Sequence, residues 1–572
     1  MTQTQNTSPT PLHPALVRLL NARGINGEDL KEFLSWDLKD LPDLTSMLDL
    51  PLACDLMIEA IEQNKKIGIY GDYDVDGTTS CALFWHFFQM LSVDVDLIQP
   101  SRFIEGYGLH ASSVDQALEQ GISLLITVDC GISNCEAADY AKEKGLGLII
   151  TDHHKDAREE MPRALAVVNP NRRDEPKDSP LRAMAGVGVA FAICVGIRQK
   201  LIEKGREIPS LYPLLQFVAI GTICDMAHLN HVNLRLTRHG LKQLPSTKYP
   251  GLRIFLSPEE RKFTFTPSEK CSFFIGPMIN SKGRLDHPEK ALKLLIAKDS
   301  DEAFEHYSHL EICNNERKFI QSQVYKEARD QVLAKLDENH TISIVYAPEW
   351  HEGVIGIVAS KLVENFKAPA IVFTDGEEKG VIKASARSAG ELSIFDSLKK
   401  VEDLFLKFGG HKAAAGLSMP KENYAEFCRR IREDLASVPE NLRTNSSHYD
   451  IDLVPDEITP KLVKELECLE PFGMGNQRPV FRVKGLNLQS FDTLKDVHIR
   501  WNFQSLSDKP LKLKGISFNY VGKYETLSPQ EVYQANAFKH EPLSVICGVG
   551  INRFNGNEYL QLQVERVDLG TL

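Results

Sequence analysis

The 572-residue chain carries 66 Lys and Arg against 78 Asp and Glu, a net charge of −12, with 42% hydrophobic and 25% charged residues. This excludes a largely disordered chain, a collagen-like chain and a uniformly basic nucleic-acid coat protein, but not a nucleic-acid enzyme, which needs only a local basic surface. At ~150 residues per domain the length implies roughly four domains.

The amino-terminal MTQTQNTSPTP has no basic or apolar leader and reads as a short disordered tail. Residues 1–50 form a small helical lead-in, with an amphipathic stretch from Pro14 to Arg23 broken at Asn26-Gly27. An α/β region spans 51–240. Its predicted strands are Lys66 to Tyr70, Val93 to Ile98, Ser123 to Val128 and Gly147 to Thr151, with an apolar helix from Thr78 to Leu91. Strands alternating with helices imply a mostly parallel sheet with ligands at its carboxyl edge. The longest apolar run, Ala183 to Ile197, is broken by three glycines and is shorter than the ~20 residues of a membrane span. A connecting region, 241–338, contains a long helix that starts from a cap at Asp299, Ser300 and Asp301 and runs to about Asp337. A second α/β region, 339–440, opens at Ile342 to Tyr346, and Pro439 to Ser447 reads as a linker. The last part, 448–572, has strand-like runs at His498 to Phe503, Leu513 to Tyr520, Leu543 to Ile551 and Tyr559 to Val567, with a turn at Asn555-Gly556, and reads as a small barrel. The 11 cysteines form no CxxC pair, and several, such as Cys81, Cys194 and Cys547, sit in apolar runs. Reduced, buried thiols in a cytoplasmic protein fit this better than disulfides or a zinc site.

The sharpest chemical feature is Gly71-Asp72-Tyr73-Asp74-Val75-Asp76-Gly77. Three alternate carboxylates in a loop after a strand can converge on hard divalent cations, although a polar turn has the same look. An EF-hand loop is excluded: its twelfth position, counted from Asp72, is Leu83, and the flank is a strand. Asp129 ends the strand ITVDCG, Asp152-His153-His154 ends LIITDHH, and Asp225 follows the apolar helical stretch ending GTICDM. Each alone is an ordinary cap or solvated site. Four of them at the carboxyl-side loops of one sheet would meet at one edge, and carboxylates with one or two imidazoles suit two Mn²⁺ or Mg²⁺ ions. Such a pair activates a water for in-line attack on phosphorus.

GDYDVDG, TVDCG, TDHH and GTICDM, in this order, resemble the four motifs of the DHH phosphoesterase superfamily. Glu105-Gly106-Tyr107-Gly108-Leu109 and the downstream motifs narrow the resemblance to its RecJ family of single-strand-specific 5′→3′ exonucleases, over nearly the whole chain. The resemblance implies an α/β multidomain protein with a parallel-sheet DHH catalytic domain, a long connecting helix, a second α/β DHH-associated domain and a C-terminal OB-like β-barrel. It implies that Asp74 and Asp76 bind the two metals separately, with Asp72 supporting the first and Asp129 bridging them. His153 and Asp225 would complete the ligand set of the second metal, and Asp152 and His154 would orient His153 and the scissile phosphate. No protein nucleophile is then needed.

Phe408-Gly409-Gly410-His411-Lys412 and the run Ala413 to Gly416 offer glycines that let a backbone approach a phosphate; a Gly-Gly turn into an Ala-rich helix is equally compatible. The family pattern favours the former. It implies that His411 faces the substrate and that Ser385 and Arg387 clamp a phosphate, a role that suits a guanidinium. His351, in Trp350 to Gly356, is either a further contact or a cap. Gly276 to Arg284 matches a family element in which Asn280 and Arg284 are retained for phosphate binding, but Met278 replaces the usual Arg and Ser281-Lys282 replace two alanines. Lys282 can compensate in charge but not as a bidentate clamp. Between Phe481 and Pro542 there are 9 Lys and Arg and 6 Asp and Glu, a local +3. There Trp501, Phe503, Phe518, Tyr520 and Tyr524 are either stacking faces for bases or barrel core.

The implied partners are single-stranded DNA, a helicase and a single-strand-binding protein. No membrane is implied, and the chain is expected as a cytoplasmic monomer acting in repair and recombination. The enzymatic alternative is a small-substrate relative such as a nanoRNase, a cyclic-dinucleotide phosphodiesterase or a pyrophosphatase, which the added barrel disfavours. The other alternative, a non-catalytic DNA-bound scaffold, is disfavoured by the complete ligand set.

Overall fold

The computed structural model describes residues 12–100, 106–155, 160–282, 289–336, 340–444, 448–521, 526–539, 542–554 and 557–570. The chain divides into two compact units. One is Lys31–Glu316 with Leu469–Gln477; the other is residues 12–30 with Arg317–Cys468 and residues 478–570. Among the described residues no helix is long and apolar enough to cross a membrane.

The first unit is built on β1 (Ile67–Gly71), the helix α1 (Val75–Met90), β2 (Val95–Ile98), β3 (Leu124–Val128), β4 (Gly147–Thr151) and β5 (Ala166–Val168). All pairings are parallel and the strand order is β2-β1-β3-β4-β5. Ile67, Ile69, Ile126 and Val128 point into one hydrophobic core with α1, α2 (Gly186–Glu203) and α3 (Leu215–Cys224). Tyr70, Leu125, Leu148 and Ile150 point into the opposite core, against helices at Ala111–Glu119 and Cys135–Glu143. A sheet covered on both faces explains why its strands read as continuous apolar runs. The apolar run 183–197 is largely α2, a core helix. Helix α1 begins three residues earlier than the expected Thr78, because Asp74 caps it. The unit also contains α4 (His231–Gln243).

The long helix α5 (Ser300–Leu333) is capped as expected: the Asp299 carboxylate accepts the amide protons of Asp301 and Glu302 at 3.0 and 2.9 Å. In the second unit β6 (Ser343–Tyr346), α6 (Glu352–Phe366), β7 (Ala370–Asp375), β8 (Val381–Arg387), β9 (Lys407–His411) and β10 (Ala414–Pro420) form a sheet of order β6-β7-β8-β10-β9 with α6 on one face. The Gly409-Gly410 segment is neither a helix-start cradle nor a turn into an Ala-rich helix. It is the end of an edge strand that pairs antiparallel with β10. Alternation explains it: Ala415, Leu417 and Met419 are buried while Gly416 is exposed, a period of two that the run of small residues hides.

The C-terminal sheet comprises β11 (Ile451–Leu453), an edge strand beside the barrel, and β12 (Phe481–Leu494), β13 (His498–Ser505), β14 (Lys512–Ser517), β15 (Leu543–Phe554) and β16 (Asn557–Leu569). The order β12-β13-β14-β16-β15 closes through a β12–β15 pairing, so five strands form a closed barrel. The 14-residue β12 serves both neighbours by bending at irregularities near Leu488 and between Val483 and Leu486. The first helix, Pro14–Ala22, belongs to this unit: Arg18 pairs with Glu457 at 2.7 Å and Arg23 with Asp450 at 2.8 Å. The turn expected at Asn555-Gly556 lies outside the described residues. Part of the expected linker, Glu440–Arg443, is a helical turn.

Candidate metal centre

Three parallel strands and one helix deliver the acidic groups. After β1 the chain turns through Asp72 and Asp74 into α1. Asp74 caps that helix by accepting the Gly77 amide proton at 3.0 Å. Gly77 is required here, since a Cβ would lie 2.4 Å from the carbonyl oxygen of Asp72. Asp76, in the first turn, is fully buried, and its two oxygens accept the Gly186 and Val187 amide protons at 2.6 and 2.9 Å. This carboxylate therefore sits on the positive N-terminus of α2. Asp129 follows β3 in a left-handed backbone conformation (φ 60°), and Gly186 packs so closely on it that a Cβ would lie 2.8 Å from the Asp129 Cβ. His153 follows β4. Asp225 comes from the C-terminus of α3 rather than from a strand end, which corrects the expectation of four strand-edge sites.

These groups converge. His153 Nε2 lies 3.1 Å from Asp129 Oδ1, 3.7 Å from Asp76 Oδ2 and 3.9 Å from Asp225 Oδ2. Asp76, His153 and Asp225 form one cluster of potential ligands, Asp72, Asp74 and Asp129 a second, and Asp129 with His153 and His154 a third. Asp129 is thus shared between groupings. Among the described residues, its buried Oδ1 and the buried His153 Nε2 have no hydrogen-bond partner. Two buried lone-pair atoms aimed at one space are what a hard cation with oxygen and imidazole ligands would satisfy.

Electrostatics points the same way. Burial and the neighbouring carboxylates push Asp76 up to about 7, Asp225 up to about 9 and Asp129 well above the carboxylate range. Burial lowers His153 to about 4, leaving the neutral form that a metal needs. The protein alone cannot hold all these carboxylates ionised, and a divalent cation reverses that.

Asp152 has a different task. It is buried, and although burial opposes ionisation, its hydrogen bonds with His154 and the Ile132 amide hold it below the usual carboxylate range. Its Oδ1 lies 2.8 Å from His154 Nδ1 and accepts the His153 and His154 amide protons at 2.7 and 3.1 Å. The ring it orients is His154, not His153, and against burial this pairing raises His154 to about 9. Tyr107 was visible only as part of a motif. Its hydroxyl lies 2.9 Å from His154 Nδ1 and 3.3 Å from the Asp129 carbonyl oxygen. Gln99, unmarked in the sequence, donates to the Asp72 carbonyl oxygen and to Thr78 Oγ1 at 2.9 and 3.1 Å. Both contacts are long-range, and nothing local in the sequence signals them.

In the second unit, strand register places Arg387, Ala414 and His411 in one row and Ser385, Gly416 and Gly409 in the next, on the polar face of the sheet. Arg387 donates to Ser385 Oγ at 2.9 Å, and a Cβ on Gly356 would lie 2.9 Å from that guanidinium. His351 is the N-cap of α6, its Nδ1 accepting the Gly353 amide proton at 3.0 Å. Asn280 is half-buried in the short helix Gly276–Lys282, and Met278 is buried in the core. Arg284 and the Lys282 side chain lie outside the described residues. Trp501 is not a stacking face: it is fully buried, stacks on Phe503 at 5.9 Å and donates to Ser517 Oγ at 2.8 Å. Tyr520 is likewise buried; Phe518 is exposed, and Tyr524 is outside the described residues.

Comparison with known proteins agrees with this architecture. Residues 66–222 match the DHH family N-terminal domain, 339–437 the DHHA1 domain and 449–566 the RecJ OB domain. The chain is 33% identical to the single-stranded-DNA-specific exonuclease RecJ of Bacillus subtilis, over 98% of this chain and 68% of that protein. It is 33% identical to RecJ of Haemophilus influenzae, over 97% of this chain and 96% of that protein. The crystal structure of RecJ in complex with Mn²⁺ from Thermus thermophilus superposes with a TM-score of 0.77 at 27% identity, covering 97% of this chain and 76% of that one. Full-length similarity and all three domain types place this chain in the RecJ family of DHH exonucleases.

Proposed function

We propose that this chain is a single-strand-specific 5′→3′ DNA exonuclease that releases nucleoside 5′-monophosphates, with two Mn²⁺ or Mg²⁺ ions as cofactor. The observation that carries the reading is the shared position of Asp129, whose orphaned Oδ1 faces the orphaned Nε2 of His153 between two acidic clusters. Asp72, Asp74 and Asp129 would hold one ion and Asp76, Asp129, His153 and Asp225 the other. The ions would supply Lewis-acid activation of water and of the scissile phosphate. The remaining groups orient the substrate. Asp152 fixes the His154 ring beside Asp129, where it can donate to a phosphate oxygen. Arg387, held by Ser385, can grip a phosphate with two parallel N–H donors, and the Gly409–Gly416 row lets a backbone lie close to the sheet. The names of the relatives support the substrate; family membership supports the polarity, a role in repair and recombination, and work as a cytoplasmic monomer alongside a helicase and a single-strand-binding protein.

The test is digestion of single- and double-stranded DNA carrying 5′ or 3′ label, with Mn²⁺ and with Mg²⁺. The reading expects early release of the 5′ label as mononucleotide from single strands only. Early 3′ release or equal duplex digestion would overturn it.

A further inference from the structure

Asp225 stands on a strained turn. The residue after it, Met226, is left-handed (φ 59°), and the helix closes with Met226 donating to the Ile223 carbonyl oxygen and Ala227 to that of Thr222, both at 3.2 Å. The flanks of this turn are held by a segment from far along the chain. Leu469–Gln477 leaves the second unit and packs into the first. The Leu229 amide donates to the Met474 carbonyl oxygen at 2.8 Å. Gly475 (φ +81°) lies so near His228 that a Cβ would sit 2.5 Å from Nε2. The buried Glu470 carboxylate accepts from Ser268 Oγ at 2.9 Å and from the Phe472 amide at 3.2 Å. Its carbonyl oxygen accepts from Arg238 Nε at 2.9 Å. That guanidinium is fully buried over the rings of Phe33 and Trp36. Three residues beyond Ser268 begins a π-turn, Cys271–Ile275, and Cys224 Sγ donates to the Cys271 carbonyl oxygen at 3.4 Å. The segment is curved back on itself by Asn476, whose Nδ2 donates to the Leu469 and Pro471 carbonyl oxygens at 2.8 and 2.7 Å.

The strap therefore touches the chain just downstream of Asp225, at His228 and Leu229, and is linked to Cys224 indirectly, through Ser268 and the π-turn that follows it. We infer that Leu469–Gln477 is a positioning element of the metal centre, fixing the turn that presents the Asp225 carboxylate. The inference rests on the reading of Asp225 as a metal ligand. Supports of ligand orientation change metal affinity by about 10–100-fold when removed.

The test uses the full chain after chelator treatment, with Mn²⁺ affinity measured by calorimetry and metal-free unfolding followed separately. Gly475→Ala and Asn476→Ala should each weaken Mn²⁺ binding about tenfold and lower kcat on a short strand with KM unchanged. Adding His228→Ala to Gly475→Ala should restore part of the affinity, because it removes the ring that the new Cβ strikes. If the unfolding temperature falls while Mn²⁺ affinity stays at the parent value, the strap is merely structural and the inference fails. Should Gly475→Ala not fold, Asn476→Ala decides alone. Asp225→Ala separates the two readings: unchanged Mn²⁺ binding there overturns the ligand assignment, whereas its loss beside unaffected strap variants overturns only the positioning role.

Discussion

In the first unit Asp72, Asp76 and Asp129 are turned inward, almost without exposure, and Asp76 and Asp74 are fixed by backbone amides. In the second, Lys383, Ser385 and Arg387 alternate outward along β8, opposite the exposed Gly409 and His411 on β9 and Gly416 on β10. The first arrangement gathers like charges where water cannot screen them, and so is preorganised for a compact multivalent cation. The second carries its charge on longer side chains over small residues, which suits a ligand that slides and rotates. Changes to the first should act nearly all-or-none, and changes to the second by degrees.

The largest expected effect follows from breaking the inward cluster at its shared member. Asp129→Ala should reduce hydrolysis of a labelled single strand in Mn²⁺ to background while circular dichroism remains native, since the side chain itself caps nothing. Retained turnover would remove the distinction between the two regions. Next, Arg387→Ala should lower kcat/KM by roughly 10–100-fold, the loss of a charged bidentate contact, with Arg387→Lys recovering little of it. The same variant should flatten the salt dependence of strand binding, by about 0.7 in log–log slope per lost phosphate contact on a single strand. Asp129→Ala should leave that slope alone.

A third outcome concerns protons. In the metal-free fold Asp76 and Asp225 titrate near 7 and 9, far above their unfolded values, and His154 near 9 against an ordinary 6.5. Groups raised on folding stabilise the fold while protonated and lose that contribution as pH climbs through their folded pKa. Between pH 6.5 and 9 the metal-free protein should therefore lose thermal stability. Mn²⁺, which binds the deprotonated carboxylates, should raise the unfolding temperature more at pH 8.5 than at pH 6.5. A shift independent of pH would argue against ligation by these acids. The smallest effect on DNA should come from Trp501→Phe. It should leave strand affinity within about twofold while costing about 1–3 kcal/mol of stability, because the barrel loses the bond from the indole to Ser517.

The parallel sheet, the capped long helix and the acidic loops were legible because each is written locally: apolar strands ending in Asp, an Asp299 cap, carboxylates at alternate positions. The edge strand at Gly409-Gly410 was not, since Ala414, Ala415 and Gly416 carry no contrast between the two faces of β10. For Trp501 the sequence left stacking face and barrel core open, and its parity with Ile499 and Phe503, an alternation present in the sequence, is what places it in the core. The role of Asp152 toward His154, the contacts of Tyr107 and Gln99, and the strap across more than 240 residues of sequence depend on tertiary proximity. No window of sequence contains them.

The two backbone bonds at Asp76 have a further consequence for how such a chain could change over generations. The oxygens that would hold an ion also close the N-terminus of the core helix α2. A descendant that abandoned hydrolysis could discard the partly exposed Asp225 at small cost, but replacing Asp76 would strand two buried amide protons. Decay of the active site in such a lineage should be uneven, with Asp76 outlasting the activity it once served.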